Sequence, residues 1–384
     1  MPIVFVHGVN NRAGDEYRDN EIGRNSFISE IVGPALGLSP ESLRISSPYW
    51  GGNGAKFRWN MAVLPDASES IEKFGAEGDA EAFGRTVELL TEAGVKGSVV
   101  QNARTDFAGT VDLLFGSALA AVGSEEDGRE LAQAYRIARK YAEKNPTPEW
   151  LNEVTDDNFA DVLNQRAKAP GEESMGAGGI LDQLKEGLSR IVSAIPSVGS
   201  SVAVGLARKK LNATVTKFAG DAFVYLARRG AAEAPGKIVE IVLSELHAAS
   251  AAKTDGDDKL IVIAHSFGGE IVYDILTKFD PGLSIDVLIT VGSQVGLFEE
   301  MKLYLASDDM YPDDAGHAKV PMPSNLKRWL NVFDPNDVLS FLAEPIFAGV
   351  QDFKYDTGFS TLQAHGGYFL RPSFYSRLAA RLSA

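Results

Sequence analysis

Residues 2–6, Pro-Ile-Val-Phe-Val, form an unbroken apolar run ending at Gly8, the pattern of a strand buried on both faces. Between Asn25 and Leu36 the apolar residues Phe27, Ile28, Ile31, Val32 and Leu36 recur at helical spacing, and Gly37 follows as a C-terminal stop. A second strand is expected over Leu43 to Trp50. Strand, helix, strand is the opening of a parallel α/β sheet. The sheet pattern then vanishes, and residues 66–230 read as mostly helical. Ser124 before Glu125, Glu126 and Asp127 is a helix start with acids at the positive end of the dipole, and Thr147-Pro148-Glu149 places a cap before a first-turn proline. Pro170 to Gly179 reads as a flexible connector, after which Ile180, Leu184, Leu188, Ile191 and Ile195 repeat once per turn until Pro196. Two stretches, Gly97 to Gly123 and Ser197 to Gly230, are rich in small residues.

From Lys237 the sheet pattern resumes. A helix carrying Ile238, Ile241, Val242 and Leu246 leads to the acidic turn Asp255 to Asp258. Leu260 to Ala264, Val287 to Val291 and Trp329 to Phe333 are three more buried strands, Gly268 to Lys278 is a helix, and Tyr368 to Leu382 is a closing helix. The fold class is therefore α/β, a mostly parallel sheet with helices on both faces. The expected division is a discontinuous sheet domain of residues 1–65 and 236–384 around a helical insertion of residues 66–235.

Composition narrows the chemistry. Among 384 residues, 45% are hydrophobic and 23% charged, with 52 acidic against 37 basic side chains for a net charge of −15. A surface of that sign repels phosphodiester backbones, and no basic run offsets it, so nucleic acid is not an expected partner. With no cysteine, thiolate nucleophiles, disulfides and thiolate metal sites are excluded, and five histidines leave little for an imidazole metal site. No cofactor and no metal are expected. Met1 leads straight into Pro2-Ile3-Val4 without a basic segment and apolar leader, and there is no spanning-length apolar run, so a cytoplasmic location is expected unless a leaderless export route operates.

The segment Leu260 to Asp274 carries the most information. A buried strand runs into Ser266, flanked at the second position on either side by Ala264 and Gly268, and then into a helix. That is a nucleophile elbow: the serine occupies a strained strand-to-helix turn where bulky neighbours would collide. The N–H of Phe267 then faces the oxyanion from the start of the helix, and Gly269 lets that helix approach the sheet. A second oxyanion donor is expected after the first strand, in Phe5-Val6-His7-Gly8-Val9-Asn10, from the N–H of Val9 with Asn10 as the alternative. His7 is expected to shape that loop.

A serine nucleophile needs an imidazole to take its proton and a carboxylate to orient the imidazole. The elbow predicts the chain order Ser, acid, His. Downstream of Ser266, His317 comes too early in a polar loop, whereas His365, ahead of the final helix, occupies the last position. His265 diverges from its elbow neighbour, and His247 is a helix residue expected in packing or at the surface. The acid comes from Asn331 to Val338, where Asp337 is preferred and Asp334, beside Pro335 at a turn start, is the alternative.

With Val6 to Asn10, Tyr49-Trp50-Gly51, Ala264 to Gly269 with Tyr273-Asp274, Thr290 to Ser293, Trp329 to Asp334 with Asn336-Asp337, and His365 to Tyr368 in this order, the chain resembles the α/β-hydrolase superfamily, and within it the small bacterial serine esterases and lipases. The resemblance covers residues 1–52 and about 236–384. It implies Ser266 as nucleophile, His365 as base, Asp337 as acid, and Val9 with Phe267 as oxyanion donors. It also implies a shortened sheet starting at the third strand of the full fold, with Ala264 replacing the first elbow glycine. The expected activity is cleavage of a carboxylic ester, lipid-like, through an acyl-serine; thioesterase, amidase and acyltransferase chemistry would use the same triad. The insertion lies where such enzymes carry a lid, and Arg208-Lys209-Lys210 and Arg228-Arg229 give it basic spots for a lipid surface or for solvent. The other reading is a membrane-disrupting or partner-binding protein acting through the helical insertion, with the hydrolase half as scaffold.

Overall fold

In a computed structural model, which describes residues 1–59, 61–62, 97–167, 179–194, 201–254, 259–313, 315–359 and 361–383, six strands form one parallel sheet. They are β1 (Pro2–Val6), β2 (Arg44–Ser46), β5 (Ile261–His265), β6 (Ile285–Val291), β7 (Leu326–Phe333) and β8 (Val350–Lys354), in the order β2-β1-β5-β6-β7-β8. A small antiparallel ribbon, β3 (Gly230–Ala231) with β4 (Ala234–Pro235), lies apart from it. The pairing aligns Val6 with Ala264, His265 with Val291, and Val291 with Val332. The loops that leave β1, β5, β6 and β7 therefore emerge at one end of the sheet, the carboxyl end.

The central strands are mostly apolar because most of their residues are buried on both faces. Val4, Val6, Val262, Ala264, Leu288 and Trp329 join one core, while Ile3, Phe5, Ile261, Ile263 and Ile289 are buried on the opposite face. Helix Lys237–Ala251 contributes Ile238, Val239, Val242 and Leu246 to that core, and helix Gly268–Asp274 is buried along its whole length before continuing as a wider turn over Ile275–Phe279. The expected strand over 43–50 shrinks to Arg44–Ser46, since β2 pairs only with β1 and Pro48 has no N–H for a ladder. The edge strand β8 escaped the pattern: its Val-Gln-Asp-Phe-Lys sequence carries polar and charged residues, as edges do.

The chain separates into two units. One comprises Met1–Ala13, Glu41–Pro65 and Lys210–Asp356; the other comprises Gly14–Pro40, Asp66–Lys209 and Thr357–Ala384. The first holds the sheet. It also takes the C-terminal part of helix Ser201–Arg228, whose Ala222 and Tyr225 lie in the sheet core, so residues 210–235 of the expected insertion group with the sheet.

The second unit is helical in its described residues. Helix Asp15–Phe27 starts ten residues ahead of the apolar pattern, with Asp15 and Glu16 in its first turn, and runs through Ile28–Val32 to Ala35 before Gly37 turns the chain at φ 76°. Ser124 caps helix Glu125–Lys144 by accepting the Asp127 N–H, as expected, whereas Pro148 precedes a single turn at Glu149–Asn152. Helix Phe107–Leu119 is nearly all buried, and a side chain at Gly187 of helix Gly179–Ala194 would press on the Ala118 backbone at 3.2 Å. In these two helices the small residues serve close packing. Buried Asp112 accepts from Tyr135, from the Ser373 N–H and from Arg371, joining the two long helices to the closing helix Pro372–Leu382. No helix among the described residues is long and apolar enough to cross a membrane. Residues 170–178 of the expected connector and the acidic turn at 255–258 lie outside the described residues, and Gly179, the last residue of that connector, opens helix Gly179–Ala194.

Candidate active site

Ser266 follows the last residue of β5 and has φ 51°, a left-handed conformation that a non-glycine residue adopts only where its surroundings hold it. Its N–H donates to Val291 O (2.8 Å) and its carbonyl accepts from Gly269 N–H (3.0 Å), so the strained turn is anchored on β6 behind and on the helix ahead. The small neighbours are required by space. A side chain at Gly268 would collide with the Val6 carbonyl, and one at Gly269 with Ser293 Oγ. A Cβ on Gly8 would stand 2.5 Å from Ser266 Cβ and 3.0 Å from its Oγ. The loop after β1 therefore runs directly against the Ser266 side chain.

That loop is held from several sides. His7 is buried, stacked on Trp50 with ring centroids 4.8 Å apart, and its Nε2 accepts the Trp50 N–H (3.1 Å), so Nδ1 carries the proton and donates to Gly8 O (2.7 Å). His7 thus shapes the loop. Asn11 Nδ2 donates to Gly8 O (3.0 Å) and Val9 O (3.2 Å). Because a trans peptide points its N–H opposite to its C=O, fixing the Gly8 carbonyl toward His7 and Asn11 turns the Val9 N–H the other way. The Asn10 N–H, the alternative donor, is directed instead at Asp221 Oδ2 (2.9 Å). Asn10 itself has φ 65°.

On the other side of Ser266, Phe267 opens helix Gly268–Asp274, and its ring packs edge-on against Phe218, Tyr225 and Phe298. One turn later Glu270 is fully buried. Burial pushes its carboxyl up to about 8, against the opposing pull of its own N–H, the Gln294 N–H and the Ser293 hydroxyl, while nearby Asp274 adds to the rise. Asp274 is raised by burial too and is countered by Arg229 at 2.8 Å and by Tyr225 OH at 2.8 Å. Arg229 is consequently committed to the core of this unit, which removes it from the expected basic spot; Arg228 stays exposed.

The acid candidates sit in the loop after β7. Asp334 and Asp337 are both buried, and each spends one oxygen on a turn: Asp334 Oδ1 on the Asn336 N–H and Asp337 Oδ1 on the Leu339 N–H, both at 2.9 Å. The same loop is stitched to the loop after β6, since Phe341 N–H donates to Ser293 O (3.0 Å) and Gln294 Nε2 donates to Leu339 O. A continuous run of contacts thus links the Ser266 turn, Gly269, Ser293 and the Asp337 loop. His365 belongs to the second unit, where it is buried in the last turn of helix Thr361–Gly367, ahead of the closing helix. His247 forms a surface pair with Asp280 at 2.6 Å, and His317 lies in an exposed turn capped by Asp313.

No family model, curated protein or solved structure matches this chain.

Three residues with evident roles in the loop escaped the sequence reading. Asn11 and Arg12 directly follow the His-Gly motif and could have been weighed with it. Asp221 gives no local signal, being more than two hundred residues away. No cluster of metal-binding side chains occurs among the described residues. A cavity of about 440 Å³ is lined by the apolar Phe333, Leu342 and Pro345 and by the charged Lys319, Glu344, Asp352 and Lys354; none of the candidate residues lines it.

Proposed function

We propose that this protein is a serine hydrolase of the α/β-hydrolase type, cleaving a carboxylic ester through an acyl-serine. The observation that carries the proposal is the left-handed turn at Ser266, φ 51°, at the carboxyl end of a central parallel strand with Gly8 packed on its side chain. Backbone strain of this kind at a serine has a chemical use: it lifts Oγ out of the strand line toward the crevice where parallel sheets bind ligands. The strand order also supports the reading, because β1 adjoins β5 and its following loop, at Gly8, packs on the Ser266 side chain.

In this reading His365 takes the Ser266 Oγ proton while Oγ bonds to the substrate carbonyl carbon. The carbonyl oxygen becomes an oxyanion and accepts from the N–H groups of Phe267 and Val9. Collapse expels the alkoxide, which receives the proton from His365, and water repeats the sequence to release the acid. Asp337 orients His365, with Asp334 as the alternative. A lipid-like acyl group remains the proposed substrate class.

Labelling by a fluorophosphonate probe tests the nucleophile. Wild type is expected to label once, Ser266→Ala not at all, and hydrolysis of short p-nitrophenyl esters is expected to fall by about 10³-fold or more in Ser266→Ala and His365→Ala. Asp337→Asn should fall by about 10²-fold or more and Asp334→Asn by less. Labelling that persists in Ser266→Ala ends the assignment. Liposome leakage that persists in that variant would favour action through the helices instead.

A further inference from the structure

Helix Ser201–Arg228 presents Phe218, Asp221 and Tyr225, three residues at i, i+3 and i+7 that share one face. All three bear on the two oxyanion donors assigned above. Phe218 and Tyr225 pack edge-on against the Phe267 ring, with centroids 6.3 and 5.3 Å away. Asp221, fully buried, reaches the other donor's loop. Its Oδ2 accepts the Asn10 N–H (2.9 Å) and Arg12 Nη1 (3.0 Å), and its Oδ1 accepts the Ala55 N–H (2.6 Å) and Arg12 Nη2 (2.8 Å). Gly54 has no room for a side chain because the Asp221 carboxylate occupies that space.

We infer that Asp221 is a positioning residue for the oxyanion hole, and that the helix carrying it is part of the catalytic framework. The inference rests on the hydrolase reading. The physical argument is geometric. A peptide N–H serves as an oxyanion donor only if it is aimed before the charge develops. The Gly8–Val9 peptide is fixed through its carbonyl by His7 and Asn11. The next peptide, Val9–Asn10, has its carbonyl held by Asn11 and its N–H held by Asp221, with Asn10 kept in a left-handed conformation at φ 65°. Asp221 is the only partner in this set that comes from a distant part of the chain. Its bidentate pair with Arg12 holds the loop two residues further on, so the turn is tethered on both sides of Asn11.

The prediction concerns transition-state charge and not substrate binding. With p-nitrophenyl butyrate, and with rates normalised to fluorophosphonate-titrated sites, Asp221→Asn should lower kcat by about 10-fold or more while KM changes by less than about twofold. The affinity for an aryl trifluoromethyl ketone, whose hemiketal oxyanion mimics the transition state, should weaken by the same factor as kcat/KM. Arg12→Gln, at a partly exposed position, should show the same pattern more weakly and keeps the test open if Asp221→Asn is poorly folded. A purely structural role would reduce the number of titrated sites and leave per-site kcat and ketone affinity unchanged, which would overturn the inference. A wild-type protein that neither labels at Ser266 nor turns over ester would overturn the hydrolase reading and the inference with it. An active wild type with per-site-normal Asp221 and Arg12 variants would overturn only the inference.

Discussion

Two fully buried carboxylates in the sheet unit, Asp221 and Glu270, have different donors around them. Asp221 accepts from the Arg12 guanidinium at both of its oxygens and from two backbone N–H groups. Glu270, one turn beyond Ser266, has only neutral donors, from Ser293, Gln294 and its own backbone, and faces another acid in Asp274. Burial wins there, and the carboxyl rises to about 8. The difference teaches what each is for. An ion pair with a fixed fork ties a distant helix to a loop; a buried carboxyl that accepts from the Ser293 hydroxyl and the Gln294 N–H joins helix Gly268–Asp274 to the loop after β6.

The largest effect expected from this contrast is at the ion pair. Asp221→Ala leaves the Arg12 charge and two N–H groups without their acceptor and should lower unfolding stability by about 3–5 kcal/mol, read from urea titration at neutral pH. A loss under about 1 kcal/mol would mean that water replaces the carboxylate freely. Next comes Glu270→Gln. The folded carboxyl titrates near 8 and its ordinary value is 4.5, so across that window the native state holds a proton that the unfolded chain has released. Wild-type stability therefore falls as pH rises from about 4.5 to about 8 on account of this group, and is flat with respect to it outside the window. Glutamine cannot lose the proton. The variant should gain about 2–3 kcal/mol over wild type as pH goes from about 6 to about 9, all other titrations cancelling in the difference. Parallel stability curves would show that Glu270 ionises as it does in water.

The contrast also explains what was legible in the chain. The turn at Ser266 could be read because its requirements are local: Gly268 and Gly269 lie within three residues of the serine, and a side chain at either would collide with a neighbour. The parallel sheet could be read because strands buried on both faces leave apolar runs, as in Leu260–Ala264 and Val287–Ile289. Edge strand β8 and the polar first turns of helix Asp15–Phe27 could not, since neither has a buried face long enough to imprint a period. Asp221 was invisible for a different reason. An acidic residue in a helix is ordinarily a solvated one, and nothing in its neighbours Gly220 and Ala222 says that four donors from residues 10–55 converge on it. Similarly, Arg229 reads as a surface charge until Asp274 is seen beneath it.

The smallest effect separates the two carboxylates most directly. Ser293 Oγ lies 3.4 Å from both oxygens of Glu270, and its hydroxyl is among the donors that hold the carboxyl below where burial alone would put it. While Glu270 is protonated, Ser293→Ala removes one ordinary hydrogen bond, a loss of about 1 kcal/mol. Once Glu270 ionises, the same substitution removes a donor from a buried anion, and hydrogen bonds to charged groups contribute about 1.5–3 kcal/mol. The cost of Ser293→Ala should therefore increase as pH rises past about 8, and that increase should disappear in the Glu270→Gln background. A cost that is constant with pH in the wild-type background would show that the hydroxyl is bonded elsewhere. Asp221 has an arginine and two backbone amides where Glu270 has a hydroxyl.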